Sequence, residues 1–173
     1  EIRGRFDQIS VAVLLGRKAG SRFLTAHHGT EAKFARSIYM PTLFPPTNTP
    51  ITDDADTPKY LYQFQDTVAA KEFLQRKWPE LYRDTLQSAG VTPKDLRFAF
   101  LHQTHLGQVQ DLTQAFGLTA EQVPCIVSRH GNMGSGTSLA ALATRFTELT
   151  PGDRYLLQAV GGGLSWCSIL AEH

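Results

Sequence analysis

The chain has 173 residues, of which 42% are hydrophobic, with 17 basic and 16 acidic side chains and a net charge of +1. This length and apolar content suit one core, so residues 1–173 are expected to form a single domain. The balanced charge gives no electrostatic reason to expect nucleic acid as a partner. The only cysteines, Cys125 and Cys167, do not resemble a disulfide framework, which favours a cytoplasmic location. No apolar run approaches the ~18 residues of a membrane span, so no membrane partner is expected.

The first half of the sequence predicts a hairpin, a long loop and a helix. Residues 9–15 and 22–26 have strand composition and are separated by a turn-like segment, which favours two paired strands. Prolines spread over residues 40–58 exclude a regular helix or central strand, and a loop of that length is more often functional than idle. After a short extended piece at 59–64, apolar residues at helical spacing predict a helix that ends at Gly90.

The second half alternates strands with helices. Strands are predicted at 96–101, 125–127, 154–160 and 164–171, and helices at 106–116 and 139–149. Within the first helix of the chain, Pro79 is expected to introduce a kink or to begin a second segment. The alternation predicts an α/β layered sheet, in which the last two strands pair antiparallel around a glycine turn.

Polar residues follow two of these strands directly. His102 comes after the strand at 96–101, and Asn132 follows the strand at 125–127. Functional sites of α/β proteins lie at such junctions between strand and helix. Because the positive end of a helix disfavours a charged imidazole, His102 is expected to be neutral and to donate one hydrogen bond beside the Asn132 amide.

Two neutral donors at one point suit a reaction that places negative charge on a carbonyl oxygen, as in an enolate or a tetrahedral intermediate. The turn at Gly161–Gly163 would add backbone N–H groups without hindrance from side chains. The alternative is a zinc site formed by His102, His105 and His130. Zinc would not explain Asn132 or the glycines, and no carboxylate stands at ligand spacing, so neither a metal nor a bound cofactor is expected.

Three motifs in order make the chain resemble the C-terminal half of a ketoacyl synthase III, a condensing enzyme of the thiolase superfamily. Residues 102–105 (His-Gln-Thr-His) stand where that family has His-Gln-Ala-Asn, and residues 129–132 (Arg-His-Gly-Asn) resemble its His-Gly-Asn motif. Residues 161–166 (Gly-Gly-Gly-Leu-Ser-Trp) resemble its closing glycine turn and tryptophan. The resemblance implies a thiolase-like αβαβα fold built from two similar halves, of which this chain is the C-terminal one.

The resemblance also implies roles for individual residues. His102 and Asn132 would be the catalytic residues and would stabilise the enolate or oxyanion of a thioester, while Gly162 would contribute to the oxyanion hole. Four neighbours would support them: Gln103, His105, Gly161 and Gly163. The substrates would be thioesters of coenzyme A or of phosphopantetheine on an acyl carrier protein, and the reaction would be condensation or acyl transfer.

Several positions depart from the family pattern. No cysteine stands where that family carries its nucleophile, and Cys125 and Cys167 are both expected to be buried and inert. His105 in place of asparagine, and Gly107 in place of a frequent arginine, point to a specialised acyl transfer rather than ordinary fatty-acid elongation.

The expected partner is therefore an N-terminal half that carries the nucleophilic cysteine, either cleaved from the same protein or separately encoded. Half of this fold alone would leave apolar surface uncovered, and the complete fold is expected to form a dimer. A second interpretation keeps the fold without the chemistry, as a non-catalytic structural subunit of a heteromeric complex. The presence of both His102 and Asn132 favours the enzyme, because a structural subunit would be free to lose them.

Overall fold

The computed structural model describes residues 11–13, 21–39 and 63–173, which form a mixed sheet with helices on both of its faces. The main sheet contains β1 (Arg22–Thr30), β4 (Leu96–Leu101), β5 (Arg154–Gly161) and β6 (Ser165–Glu172), and a second, two-stranded sheet pairs β2 (Ile38–Tyr39) with β3 (Gln63–Phe64). The helices are α1 (Thr67–Ser88), α2 (Leu106–Ala115), α3 (Val127–His130) and α4 (Gly136–Arg145). In these ranges, no helix has the length and apolar content that crossing a membrane would require.

The strand order of the main sheet is β1-β6-β5-β4. β4 and β5 are parallel, whereas β6 runs antiparallel to both of its neighbours. Because the carboxyl ends of parallel strands lie at the same edge, the segments that follow β4 and β5 leave the sheet side by side. These two segments begin with His102 and with the glycine turn, so the sheet topology brings together two of the predicted site elements.

The core lies on both faces of this sheet, because β4 and β5 are buried on both sides. Leu101 and Leu156 point to the face covered by α1 and α2, while Phe100 and Tyr155 point to the face covered by α4. The near-continuous apolar sequences of these strands follow from this double burial.

Helix α1 forms as its apolar spacing predicts and buries one stripe of side chains against the sheet. Four residues of this stripe are only 3–6% exposed: Trp78, Leu81, Tyr82 and Leu86. The helix runs without interruption through Pro79, and it ends just before Gly90, whose φ of 63° is suited to glycine. The prediction that a second segment begins at the proline is therefore wrong, while the predicted end is confirmed.

β1 pairs with the last strand of the chain, and most of the predicted N-terminal hairpin lies outside the described residues. This strand extends to Thr30 and pairs antiparallel with β6 along its length. Of the predicted partner at 9–15, residues 11–13 are described and form no strand, while the rest lies outside the described residues. The proline-containing segment 40–58 and residues 59–62 also lie outside them.

The strand predicted at 125–127 is wrong, and a side chain explains why. Val127 begins α3, and the Oε1 atom of Gln103 accepts hydrogen bonds from the backbone N–H groups of Ile126 and Val127 at 2.9 and 3.0 Å. These N–H groups are therefore satisfied without a neighbouring strand. Short apolar runs do not distinguish strand from helix by periodicity alone.

Candidate active site

A cleft of about 930 Å³ opens at the edge of the sheet where β4 and β5 end. It is lined by His102, Asn132 and Gly162, the three residues predicted to act on a substrate. His102 follows β4, Asn132 lies between α3 and α4, and Gly162 follows β5, so three separate chain segments contribute to one surface. His105 and Gly161 also line the cleft, while Gln103 and Gly163 do not.

His102 is only 6% exposed and is held by two hydrogen bonds to β5. Its backbone N–H donates to the Gln158 carbonyl oxygen at 2.8 Å, and its Nδ1 atom lies 2.6 Å from the Val160 carbonyl oxygen. Because a carbonyl oxygen can only accept, Nδ1 must carry the hydrogen of the neutral ring. The Nε2 atom then carries the lone pair and faces Asn132.

The Asn132 amide is oriented by its own loop. Its Oδ1 atom accepts the backbone N–H of Gly134 at 2.9 Å and lies 3.2 Å from Nε2 of His102. This contact with Gly134 assigns the oxygen and nitrogen of the amide, because a backbone N–H needs an acceptor. The NH₂ group of Asn132 is the half of the amide that neither contact uses.

Burial lowers the pKa of His102 below its usual range, and the oxygens of Asn132 and Val160, which would both accept hydrogen bonds from the charged ring, oppose this effect only in part. The ring is therefore neutral at pH 7. The cause differs from the one expected from sequence, since the imidazole is removed from water rather than controlled chiefly by the N-terminus of α2. A neutral ring with its hydrogen on Nδ1 also places an acceptor, not a donor, at Nε2.

Gln103 supports the cleft but does not line it. Its side chain is fully buried, donates to the Pro124 carbonyl oxygen at 2.7 Å and accepts the two N–H groups of the α3 entry described above. It therefore ties the end of β4 to the loop that leads to Asn132. His105 has a different structural role, because its Nδ1 atom accepts the Gln108 N–H at 3.1 Å and caps the start of α2.

The three glycines of the turn differ in the space around them and in their backbone conformation. A β-carbon at Gly162 would lie 2.8 Å from the Ile38 carbonyl oxygen, whereas one at Gly161 would have no heavy atom within 4 Å. Gly163 has a φ of 129°, a region that other residues rarely adopt. Only Gly162 is therefore fixed by close approach of another backbone segment.

We expect Gly162→Ala to destabilise the protein by about 1–3 kcal/mol, because the added methyl group must displace the backbone at Ile38. Gly161→Ala is the matched control, and we expect it to be neutral or to stabilise by up to about 1 kcal/mol through the unfolded chain. Urea unfolding followed by circular dichroism measures both variants. Equal losses in the two would contradict the assignment of the close contact to Gly162.

Neither cysteine belongs to the cleft. Cys125 is exposed, so the expectation that it is buried in a strand is wrong, and Cys167 is partly buried on β6. Burial raises the pKa of the Cys167 thiol, which disfavours the reactive thiolate. The exposure of Cys125 follows from the same misassigned strand, since residues 125–127 enter a helix instead.

The zinc interpretation gains no support from the geometry. His102 and His105 both line the cleft, but His130 is exposed and does not line it. Across residues 11–13, 21–39 and 63–173, no three histidine, cysteine or carboxylate side chains cluster as metal ligands. His102 is instead surrounded by carbonyl and amide groups.

Two solved structures show which fold this chain has. The 3-oxoacyl-[acyl-carrier-protein] synthase III of Aquifex aeolicus matches with a TM-score of 0.71 and 21% identity, over 91% of this chain and 46% of that one. The Thermus thermophilus synthase III matches with a TM-score of 0.72 and 24% identity, over 90% and 47%. The chain thus has a thiolase-like α/β fold, which confirms the predicted fold class.

The family model described as 3-oxoacyl-[acyl-carrier-protein (ACP)] synthase III C terminal matches residues 86–173, and the chain belongs to this family. The β-ketoacyl-[acyl-carrier-protein] synthase III of Aliivibrio fischeri is 26% identical over 163 residues, which are 93% of this chain and 49% of that protein. Synthase III 1 of Lactiplantibacillus plantarum is 34% identical over 127 residues, 73% of this chain and 36% of that protein. The chain therefore spans about half or less of the length of these curated relatives.

Proposed function

We propose that this chain is the C-terminal half of a condensing enzyme or acyltransferase of the ketoacyl synthase III type, and that residues 1–173 form its single domain. The proposal rests on one observation. Nε2 of His102 lies 3.2 Å from Oδ1 of Asn132, in a cleft that Gly162 also lines. An imidazole that can gain a proton at Nε2 and an amide with an unused NH₂ group, both in a largely buried setting, suit a carbonyl oxygen that becomes negative during reaction.

The proposed substrate is a thioester of coenzyme A or of phosphopantetheine on an acyl carrier protein, with no metal or other cofactor. The unused NH₂ group of Asn132 would donate to the thioester carbonyl oxygen, and Gly162 would contribute its backbone N–H. These donors would stabilise the enolate or oxyanion more strongly than the neutral thioester, which is the condition for lowering the barrier.

The role of His102 depends on whether its ring carries a second proton, at Nε2. In the free site, the cost of burying a charged ring keeps Nε2 without a proton. A negative oxygen beside Nε2 would offset this cost, so the ring would take up a proton from solvent at Nε2 and donate that proton in a hydrogen bond to the oxygen. The bond from Nδ1 to the Val160 carbonyl persists in both states and keeps the ring oriented.

The nucleophilic cysteine would come from the N-terminal half, cleaved from the same protein or separately encoded. Two observations support this part of the proposal: neither Cys125 nor Cys167 lines the cleft, and the chain spans about half of its relatives. Exposed apolar side chains at Phe23 (60%) and Phe146 (46%) are consistent with further surface to be covered. The complete fold would form a dimer, in the cytoplasm.

We propose a specialised acyl transfer or condensation rather than ordinary chain elongation. His105 caps α2 through its ring, and a β-carbon at the neighbouring Gly107 would lie 3.4 Å from its Nδ1 atom. A long side chain at position 107 would therefore contact the capping ring. With Gly107 beside His105, the chain lacks the arginine that bacterial fatty-acid members often carry at this position.

An acyl-labelling experiment tests this proposal. When the chain is combined with a cysteine-bearing N-terminal half and given radiolabelled acetyl-CoA, we expect the acyl group on the partner's cysteine. The expectation is that the combined variant Cys125→Ser, Cys167→Ser labels and turns over as the unsubstituted complex does, because neither thiol lines the cleft. Intact-mass spectrometry locates the label, and an acyl group on Cys125 or Cys167 would refute the division of roles.

A further inference from the structure

One residue in the wall of the cleft lies outside the three motifs that mark the site in sequence. Trp78 on α1 is 6% exposed, lines the cleft, and its ring lies 6.2 Å from the His102 ring, centroid to centroid, at an angle of 54°. Such tilted aromatic contacts are favourable and directional. The indole therefore forms a wall against one side of the imidazole.

The indole is fixed by Gln158, a residue of the central strand β5. The Nε1–H group of Trp78 donates to Oε1 of Gln158 at 2.7 Å, in an environment where both side chains are buried. The backbone carbonyl of the same Gln158 accepts the His102 N–H. Gln158 thus contacts both members of the aromatic pair, one through its side chain and the other through its main chain.

The side-chain amide of Gln158 is only half used in the interior. Its side chain is 1% exposed, and within the described part of the chain its Nε2 atom has no hydrogen-bond partner. A buried polar group without a partner costs free energy, and an apolar side chain of similar size would avoid that cost. What the amide supplies, and an apolar side chain would not, is an acceptor for the indole.

We propose that Gln158 is a positioning residue that holds the Trp78 indole against the His102 imidazole, so that the indole fixes the ring and keeps water from one of its sides. The effect on catalysis rests on the proposed function, whereas the arrangement of Gln158, Trp78 and His102 does not. The interaction joins α1 to the site, although no residue of α1 belongs to the motifs that mark the site in sequence.

The proposal is tested in the 173-residue chain without any substrate. The chain contains only two tryptophans, so its indole N–H signals in NMR spectra are assigned by comparison with Trp166→Phe. In Gln158→Met, we expect exchange of the Trp78 indole proton with solvent to accelerate at least about tenfold, because the acceptor is lost. In Gln158→Glu, an acceptor oxygen remains and we expect protection to be retained.

The second measurement follows the titration of His102. Burial lowers its pKa, so a loosened indole that admits water should raise the pKa in Gln158→Met toward its ordinary value. The titratable side chains that line the same cleft are Lys71 from α1 and His105 and Asp111 from the α2 region, and the substitution changes none of them. The Asn132 loop and the glycine turn contribute no titratable side chain to the described lining.

Thr85→Val is the matched control. Thr85 is a fully buried polar residue of α1, seven residues after Trp78, and its hydroxyl donates to the Leu81 carbonyl oxygen. We expect the control to leave both NMR measurements unchanged. The proposal is overturned if Gln158→Met changes neither measurement, or if Thr85→Val changes them equally. Because no condensation is measured, a failure of the proposed activity would leave this result intact.

Discussion

Replacing His102 with alanine is expected to slow condensation by the reconstituted enzyme about 100- to 1,000-fold, the usual effect of removing one group that stabilises an oxyanion. The imidazole is oriented by the hydrogen bond from its Nδ1 atom to the Val160 carbonyl oxygen, which places Nε2 at 3.2 Å from Oδ1 of Asn132. The loss should appear in kcat, since the interaction strengthens as charge develops. Single-turnover assays with an acylated partner measure this step directly.

His130→Ala is the matched control for this prediction. His130 is exposed, lies two residues from Asn132 in sequence, and does not line the cleft. We expect its removal to leave turnover within a factor of about two, since surface changes away from a site have small effects. Unchanged turnover in His102→Ala would refute the catalytic role, provided that circular dichroism shows the variant to be folded.

Replacing Gln103 with leucine is expected to destabilise the chain by about 3–5 kcal/mol. The side chain makes three hydrogen bonds, to Pro124, Ile126 and Val127, and it is fully buried. Leucine would leave two N–H groups and one carbonyl in the interior without partners, each at a cost of about 1–3 kcal/mol, of which relaxation recovers part. Because a typical domain is stable by only about 5–15 kcal/mol, the loss is a large share of the total.

Urea unfolding measures this loss, and a second substitution keeps the prediction testable if the leucine variant does not fold. Gln103→Glu retains oxygens for the two N–H groups and should cost clearly less than the leucine variant. Gln110→Leu is the control, because Gln110 is an exposed residue of α2. A loss below about 1 kcal/mol in Gln103→Leu would show that the α3 entry does not depend on this side chain.

Elements with strong periodicity were predictable from the sequence. β4, α1 and α2 form where the spacing of apolar residues indicates, and the family resemblance is confirmed by the match over residues 86–173. Prediction failed where a distant side chain decides local structure. The segment at 125–127 has strand composition, but Gln103 satisfies its backbone, and no local pattern records that contact.

The proximity of the candidate site residues was predictable from the sequence, but the positions of their atoms were not. The motifs predict that His102, Asn132 and Gly162 lie near one another, and the structure places all three on one cleft. The position of the ring hydrogen depends on the Val160 carbonyl, which any residue at position 160 would supply. Because every residue has a backbone carbonyl group, the sequence does not show which carbonyl orients the His102 ring.

The parallel pairing of β4 with β5 affects when the site forms during folding. The bond that orients the His102 ring joins residues 58 positions apart. Contacts of such long range form slowly, because closing the intervening loop costs entropy before any bond is gained. During synthesis the helices α1 and α2 can appear while β5 is still inside the ribosome, so the histidine should acquire its working orientation among the last events of folding.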